Sequence, residues 1–305
     1  MRRLTLLVGP DDARERIDRF IAARGGISRG LARRALEAGG VFLDGRRCKV
    51  AGRTLHPGQK VEVNLEEGGR APAAEATLGR ERLLFEDADL VAVDKPAGVP
   101  AQPTLTTDRG TLPDLVAALV GGPVTVVHRL DRETSGVTVL ARTKAAAAAL
   151  AEAFRVGEPS KTYLALTSRA PSPAEGRVDA PLGKDPKRAG LRRVDAGGDA
   201  AATAYRTLAT SPLAALVEAR PETGRTHQIR VHLAHLGAPL LGDARYGGPR
   251  RVGEVAVPRV MLHARRLELR HPVTGAPLVL EAPEPPDFLG VKAALVDAYP
   301  PAPGA

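Results

Sequence analysis

The chain has 305 residues, of which 43% are hydrophobic and 26% are charged, and it carries a net charge of +9 with a pI near 10.1. This length allows one large domain and one small one, and no apolar run approaches the ~20 residues that cross a bilayer. The single cysteine, Cys48, excludes an intrachain disulfide and a multi-cysteine zinc site. Because the apolar run at residues 4–8 is too short for a signal peptide, we expect a cytoplasmic protein.

The first fifth of the chain holds most of the positive charge, since residues 1–65 contain 14 Lys and Arg against 7 Asp and Glu, a net of +7. Apolar residues at helical spacing predict a helix over 12–24 and a second one over 28–37, with Ser28 as its N-cap. The second helix presents a basic ridge opposite its apolar face. The residues of this ridge are Arg29, Arg33 and Arg34. A local basic excess attracts a polyanion, most often a phosphate backbone.

A short sheet is predicted after these helices. Residues 41–43 read as a strand that enters a tight hairpin turn at Asp44-Gly45, and residues 60–63 alternate as a strand does. We therefore predict a small N-terminal α+β domain over residues 1–65. Residues 66–80 have neither apolar content nor periodicity, which is typical of a linker.

The larger domain is predicted over residues 81–290. Short alternating strands recur there with a few helices between them, and a regular β-α-β alternation is missing. This pattern favours an α+β fold with a largely antiparallel mixed sheet flanked by helices and loops. The predicted strands cover 90–93, 137–140, 163–166, 214–219, 267–269 and 278–280, and the predicted helices cover 115–120, 145–154 and 226–236. Residues 291–305 form a predicted C-terminal tail, in which 299–305 are expected to be disordered.

One polar segment, His128–Gly136, leads into an apolar strand and contains Asp131 between two arginines. A carboxylate flanked by Arg129 and Arg132 can stay ionised even when it is partly removed from water. An isolated acid in such a setting is also commonly a surface ion pair or a turn cap. The segment taken alone therefore leaves a catalytic and a structural role open.

A second segment, Arg220–Gly247, carries a helix that Thr226 can cap and that ends at Gly237. Its histidines are His227, His232 and His235. Their spacings of five and three residues, with no acid among them, lack the HExxH arrangement of zinc proteases. We expect structural or RNA-facing histidines here, and the turn at Asp243–Gly247 reads equally well as structural or functional.

A third segment, Ser160–Leu166, opens a strand with Lys161 and Tyr163. In a chain with 3% aromatic residues, such a tyrosine can serve as a stacking platform for a base, although an ordinary strand tyrosine has the same pattern. Other catalytic templates are missing, including a Walker-type glycine loop, a dinucleotide-binding G-x-G-x-x-G and a nucleophile elbow. Nucleotide hydrolysis and nicotinamide chemistry have no support in the sequence.

Taken in order over residues 82–288, the motifs of the chain closely resemble those of the pseudouridine synthases that modify large-subunit ribosomal RNA and related tRNA sites. The matching segments are Val93–Gly98, His128–Gly136, Lys161–Tyr163, Thr223–Leu236, Gly242–Gly247, Leu262–Ala264 and His271–Gly275. Residues 14–63 are similar to the small RNA-binding domain first described in a ribosomal small-subunit protein, the S-four-like domain. Ala101-Gln102-Pro103-Thr104 departs from the family pattern, in which histidine-proline is more usual.

The resemblance implies a role for five residues of the larger domain. Asp131 matches the catalytic aspartate, Tyr163 the tyrosine that stacks on the target base, and Arg230 the basic residue that pairs with the aspartate. Arg129 matches an arginine that fills the space left by a flipped nucleotide, and Leu262 an apolar residue beneath the base. Structured RNA is the implied partner, with the N-terminal domain favouring ribosomal RNA over tRNA, and a monomer is the default state.

The implied reaction breaks the bond between ribose C1′ and uracil N1, and rejoins the uracil through C5. A duplex hides both atoms, so the nucleotide leaves the stack at a cost of a few kcal/mol, of which stacking on Tyr163 returns ~1–3 kcal/mol. Asp131 then acts either as a nucleophile toward the sugar or as a base that removes a sugar proton. Isomerisation involves no redox change, group transfer or net hydrolysis, so we expect no cofactor and no metal.

Two other functions remain open at this point. The first is a non-catalytic RNA-binding or ribosome-assembly protein on the same fold, against which the intact set of Asp131, Tyr163 and Arg230 argues. The second is a metal-dependent hydrolase built on the three histidines of the second segment, which predicts a bound metal and loss of activity in chelator.

Overall fold

The computed structural model describes residues 2–65, 77–108 and 110–299. The chain divides into two compact units, one of Met1–Leu78 with Pro100–Gly121 and the other of Gly79–Val99 with Gly122–Ala305. Most of the predicted linker and residues 300–305 of the predicted tail lie outside the described residues. The domain boundaries given above stay a prediction.

The first unit is a four-stranded antiparallel sheet with helices, in the strand order β1-β4-β2-β3. Its elements are β1 (Arg2–Leu7), α1 (Ile17–Gly25), α2 (Arg29–Glu37), β2 (Val41–Leu43), β3 (Arg46–Arg47), β4 (Lys60–Leu65) and α3 (Leu112–Val120). The two predicted helices and the strand pair are confirmed. Strand β1, which pairs along its whole length with β4, was not among the predicted elements.

Local chemistry explains these elements. The hydroxyl of Ser28 accepts the Leu31 backbone N–H at 3.2 Å and so caps α2. Asp44 and Gly45 both have positive φ, at 50° and 77°, as the tight hairpin turn requires. The apolar faces of the helices and the sheet then meet in one core, whose members include Phe20 and Leu36, both fully buried.

The second unit is built on a ten-stranded sheet in the order β10-β13-β14-β9-β17-β8-β6-β5, with β18 beside β17 and β7 beside β8. Its strands are β5 (Leu83–Glu86), β6 (Leu90–Lys95), β7 (Thr125–Val126), β8 (Ser135–Ala141), β9 (Ser160–Thr167), β10 (Glu175–Asp179), β11 (Leu182–Lys184), β12 (Arg192–Val194), β13 (Ala202–Thr210), β14 (Ala215–Pro221), β15 (Arg251–Val252), β16 (Val255–Ala256), β17 (Leu262–Arg270) and β18 (Pro277–Glu281). Its α-helices are α4 (Lys144–Val156), α5 (Gln228–His235) and α6 (Pro286–Lys292). The predicted α+β fold with a largely antiparallel mixed sheet is confirmed.

The one parallel pairing in this sheet joins β8 to β17, where Ser135 and Gly136 stand opposite His263 and Ala264. Gly136 has a φ of 115°, and a Cβ added there would lie 2.2 Å from the Ala264 carbonyl oxygen. Only glycine therefore allows the two strands to approach this closely. The contact brings the segment before β8 next to the start of β17, which positions the site described below.

The C-terminal residues of the second unit are packed rather than extended. Helix α6 continues into a π-helical turn at Ala293–Asp297, and Val291, Leu295 and Val296 are buried in the same core as Phe288. Residues 291–297 of the predicted tail are therefore part of the folded second unit. Among the described residues, no helix combines the length and the apolar content that a membrane span requires.

Candidate active site

Asp131 lies in the loop between β7 and β8, and a buried lysine holds this loop from behind. The Nζ of Lys95, a fully buried residue, donates hydrogen bonds to the carbonyl oxygens of Pro96, Val99 and Arg132 at 2.9, 3.0 and 3.1 Å. Burial lowers the pKa of Lys95 to about 7, and the charge of Asp131 opposes this shift. Two loops that are distant in sequence are thereby tied together next to the carboxylate.

His128 fixes the other side of the same loop. Its ring stacks on Phe154 of α4 with the centroids 4.2 Å apart, and its Nε2 accepts the Val139 backbone N–H at 2.9 Å. Burial, with the nearby charge of Lys161, lowers the pKa of His128 to about 3. The imidazole is therefore neutral at pH 7, as an acceptor must be.

Arg230 of α5 lies between two carboxylates. Its Nη1 donates to Asp131 Oδ2 at 3.0 Å, while its Nε and Nη2 donate to the two oxygens of Asp243 at 2.7 and 2.9 Å. Burial alone would lower the pKa of Arg230, but the Asp243 hydrogen bonds and the Asp131 charge raise it above its usual value. The side chain of Asp131 keeps 18% of its surface exposed, against 6% for Arg230 and 1% for Asp243. Asp131 is thus the member of this group that a ligand can reach.

Tyr163 and Leu262 form an apolar side of the same space. They stand on the neighbouring strands β9 and β17, where Tyr163 pairs with Ala264 and Leu262 with Ala165, so both side chains point to one face of the sheet. Burial raises the pKa of the Tyr163 phenol, and the charge of Asp131 adds to the effect. The half-buried ring of Tyr163, with its phenol protonated, lies beside the buried Leu262, and together they can receive a flat base.

One cavity of about 340 Å³ connects these residues. The five residues that the family resemblance singled out in the larger domain all line it, and the volume is within the range of small-molecule sites. They are Asp131, Arg230, Tyr163, Arg129 and Leu262. The predicted ridge residues belong instead to α2 of the first unit, where the side chains of Arg29 and Arg33 each bind the buried carboxylate of Asp18 at 3.0 Å. Arg34 is exposed on the same helix.

Two pairings at the site were not predicted from the sequence, which left the turn at Asp243–Gly247 and His227 open between structural and functional roles. Asp243 supplies the second carboxylate of Arg230, and His227 reaches the cavity wall with its Nε2 3.9 Å from Asp131 Oδ2. Neither pairing has a local pattern, because the partners are separated by 13 and 96 residues. The available signal for Asp243 was the resemblance of the segment Gly242–Gly247 to the family.

The zinc hypothesis does not fit the α5 histidines. His232 is fully buried, its Nε2 bonds to the Ala180 carbonyl at 2.9 Å and its Nδ1 to the Thr203 hydroxyl at 2.8 Å, so both nitrogens have protein partners. Among the described residues, the one acid-histidine group with metal-like spacing is elsewhere, at Asp87, Asp89 and His271. There the His271 Nε2 already bonds to Asp87 at 2.8 Å, and its Nδ1 accepts the backbone N–H groups of residues 273 and 274.

The comparisons with known proteins agree with this geometry. The family model described as RNA pseudouridylate synthase matches residues 89–235, and the S4 domain model matches residues 15–61. The chain is 38% identical to the RNA pseudouridine synthase YhcT of Bacillus subtilis over 238 residues, which is 76% of this chain and 77% of the relative. It is 36% identical to the ribosomal large subunit pseudouridine synthase D of Xanthomonas campestris, over 85% of this chain and 82% of the relative.

A solved structure, human RNA pseudouridylate synthase domain containing 4, matches with a TM-score of 0.58 at 32% identity, over 70% of this chain and 93% of that chain. The chain therefore belongs to the RNA pseudouridine synthase family. It is an isomerase that binds RNA and carries an S4 domain near its N-terminus. The resemblance inferred from the ordered motifs is confirmed.

Proposed function

We propose that the chain isomerises selected uridines of large-subunit ribosomal RNA to pseudouridine, with Asp131 as its essential carboxylate. The observation that carries this proposal is the pair of Asp131 and Arg230 in one cavity with Tyr163, where Asp243 holds Arg230 from outside the cavity lining. Ribosomal RNA is favoured over tRNA because the matching relative from Xanthomonas campestris is named for the large ribosomal subunit. A cytoplasmic location and a monomeric state stay predictions.

The proposed cycle begins when the target nucleotide leaves its helix, at a cost of a few kcal/mol. Arg129, which is exposed at the cavity, then occupies the space that the nucleotide vacates. The uracil enters between Tyr163 and Leu262, where stacking returns ~1–3 kcal/mol. The arginines of α2 bind the RNA backbone and supply affinity that does not depend on base identity.

Asp131 acts next, on the sugar beside the bond that breaks. Arg230 donates a hydrogen bond to the carboxylate, and Asp243 keeps Arg230 in place, because a guanidinium held by a bidentate pair loses little further freedom. The carboxylate attacks C1′ as a nucleophile or removes the proton from C2′ as a base, and in either case the C1′–N1 bond breaks and the uracil leaves with the bonding electron pair. The uracil then bonds to C1′ through C5, which displaces the carboxylate or accompanies the return of the proton to C2′. The C5 proton is lost and N1 gains one, so the product is an isomer of the substrate. Deuterium at C2′ distinguishes the two mechanisms, since it slows the chemical step severalfold only if that proton is removed in it.

The experiment that tests the function is a map of pseudouridine in total RNA from cells with and without the gene. We expect one or more positions in large-subunit RNA to lose the modification in the deletion strain and to regain it with the wild-type gene. The variant Asp131→Asn should bind the same RNA nearly as well and restore no position. Restoration by that variant would refute the role of Asp131, and an unchanged map would refute the RNA assignment.

A further inference from the structure

His227 reaches the cavity through a strained backbone position. It precedes α5 with a φ of 60°, in the left-handed region that non-glycine residues seldom adopt. Such a conformation persists where the surrounding contacts determine it. Here the His227 Nδ1 lies 2.7 Å from the Tyr246 hydroxyl, and the His227 carbonyl accepts the Val231 backbone N–H at 2.9 Å. The ring is held in place, and the proposed cycle has not yet used it.

The contacts of Tyr246 favour one tautomer of His227. The Arg192 backbone N–H can only donate, and it donates to the Tyr246 hydroxyl oxygen at 2.9 Å. The Tyr246 hydroxyl also has a proton to donate, and His227 Nδ1, at 2.7 Å, can accept it. Burial lowers the pKa of His227 to about 4, so the ring is neutral at pH 7. We therefore assign the single N–H of the ring to Nε2, at the cavity.

This N–H faces a gap beside the carboxylate. The distance from Nε2 to Asp131 Oδ2 is 3.9 Å, which is too long for a hydrogen bond. In the part of the chain that the structure describes, no hydrogen bond leaves Nε2, although its ring lines the cavity. A single oxygen atom seated beside both groups would be ~2.7–3.0 Å from each, which is hydrogen-bond distance.

The chemistry of the two groups identifies the oxygen that fits. It must accept from the His227 N–H and donate to the ionised carboxylate of Asp131, which is acceptor-only. The uracil carbonyls can only accept, and the uracil N3–H can only donate. Within an RNA chain the 3′ and 5′ oxygens are esterified, so the 2′-hydroxyl is the one group of the target nucleotide that does both. It is also attached next to C1′, where the bond breaks.

We infer that His227 donates a hydrogen bond to the 2′-hydroxyl of the flipped uridine, and that this hydroxyl donates a hydrogen bond to Asp131. The two hydrogen bonds fix the sugar relative to the carboxylate. This inference rests on the proposed function and adds a substrate contact to it. The 2′-hydroxyl distinguishes RNA from DNA at a given site. The pair of His227 and Asp131 thus selects a ribonucleotide at the point of chemistry, independently of how the rest of the RNA is recognised.

The test is a two-by-two cycle of enzyme and substrate. The substrates are synthetic RNA hairpins that contain the mapped uridine, either intact or with 2′-deoxyuridine at that one position. The enzymes are wild type and His227→Asn, since asparagine tolerates positive φ but its short amide cannot reach the position of Nε2. Single-turnover rates are measured for all four pairs. The deoxy hairpin also serves as a competitor, which gives its affinity even without turnover.

Loss of one hydrogen bond between uncharged groups lowers a rate or affinity about 3- to 10-fold. We expect this loss for His227→Asn with the intact hairpin, and a larger loss for wild type with the deoxy hairpin, which also lacks the hydrogen bond to Asp131. The combination of both changes should cost no more than the deoxy hairpin alone, because the bond to His227 is then already missing. Losses that multiply would overturn the inference.

Two further variants separate this contact from a merely structural role. His227→Gln places an amide N–H near the position of Nε2 and should recover most of the rate that His227→Asn loses. His235→Asn, the same substitution at an exposed position of the same helix, should match wild type. A His227→Gln enzyme as slow as His227→Asn would count against the inference. A wild-type enzyme inactive on the intact hairpin would instead refute the proposed substrate.

Discussion

Asp243 holds Arg230 by two hydrogen bonds, at 2.7 and 2.9 Å, and leaves the third nitrogen of that guanidinium for Asp131. The buried carboxylate is therefore a positioning residue, which acts on the reaction through the arginine. The effect of Asp243 on the reaction can be separated from that of Asp131, because Asp243 is buried and cannot contact a substrate.

Replacing Asp243 with Asn should reduce both stability and rate. Breaking a buried ion pair on one side costs about 3–5 kcal/mol of unfolding free energy, and a displaced Arg230 should lower the single-turnover rate about 100-fold. Urea unfolding and single-turnover assays check the two effects. Glu281→Gln is the control, because it breaks two exposed pairs, with Arg265 and Arg266, and should cost at most about 1 kcal/mol for each without changing the rate. A fully active Asp243→Asn enzyme would contradict the positioning role.

Tyr163 should contribute through its ring and not through its hydroxyl. We expect Tyr163→Phe to keep the wild-type affinity for RNA, since the stacking surface is unchanged. Tyr163→Leu fills similar space without a π face and should lose ~1–3 kcal/mol, which is about 5- to 150-fold. Competition binding and single-turnover rates on the mapped hairpin measure both. If Tyr163→Phe and Tyr163→Leu lower the affinity and the rate equally, the hydroxyl makes the contribution and the stacking surface does not.

The buried histidines should make the second unit sensitive to acid. Burial lowers the pKa of His128 to about 3 and the pKa values of His227 and His263 to about 4, all below 6.5. Between pH 6.5 and 4 the unfolded chain thus binds protons that the folded chain does not, so the free energy of unfolding falls as the pH falls. Each histidine contributes a slope of about 1.4 kcal/mol per pH unit in this range.

His128→Gln isolates one of these contributions, since the glutamine carbonyl can still accept the Val139 N–H. We expect the variant to be less stable than wild type at pH 7 and to lose stability less steeply between pH 6.5 and 5, by about 1.4 kcal/mol per pH unit. Urea titrations at several pH values give the difference directly, and the other groups cancel. Parallel pH dependences of the two proteins would mean that His128 is protonated in the folded state.

Arg34 offers the cleanest test of the basic ridge on α2. Arg29 and Arg33 also hold the buried Asp18, together with Arg16, so replacing them would remove partners of a buried charge and disturb the fold. Arg34→Gln should reduce the slope of log affinity against log salt by just under 1 if it contacts one phosphate, with the rate at saturating RNA unchanged. Arg206→Gln removes an exposed arginine from the second unit and is the matched control. An unchanged salt slope in Arg34→Gln would remove this residue from the RNA interface.

Local patterns were sufficient for the helices at α1, α2, α4 and α5, because apolar spacing and caps such as Ser28 are short-range signals. They were insufficient for β1, whose two basic residues hide the strand alternation until β4 pairs with it. The packed turn at Ala293–Asp297 was missed for a related reason, since its apolar residues become buried only in a core that β9 and β14 complete.

Part of the candidate site could likewise be predicted from the sequence, and part depends on the folded chain. The cavity brings Asp131 and Arg230 together from positions 99 residues apart, and only the family resemblance connected them in advance. Asp243 and the proton position on His227 depend on contacts that no periodicity encodes. They follow from the hydrogen bonds of Arg230 and of Tyr246, which exist only in the folded chain.

The charges around the cavity also sort the parts of a nucleotide. Its lining carries the half-buried carboxylate of Asp131 beside Arg230, and three of its other cations, Arg129, Arg155 and Arg225, are exposed. Exposed guanidinium groups attract phosphate. The uncharged sugar and base of a nucleotide can go in to Asp131 while the phosphates on either side stay at these arginines. Free uridine monophosphate brings one phosphate, where a uridine inside a chain has one on each side, and it should therefore be a poor competitor.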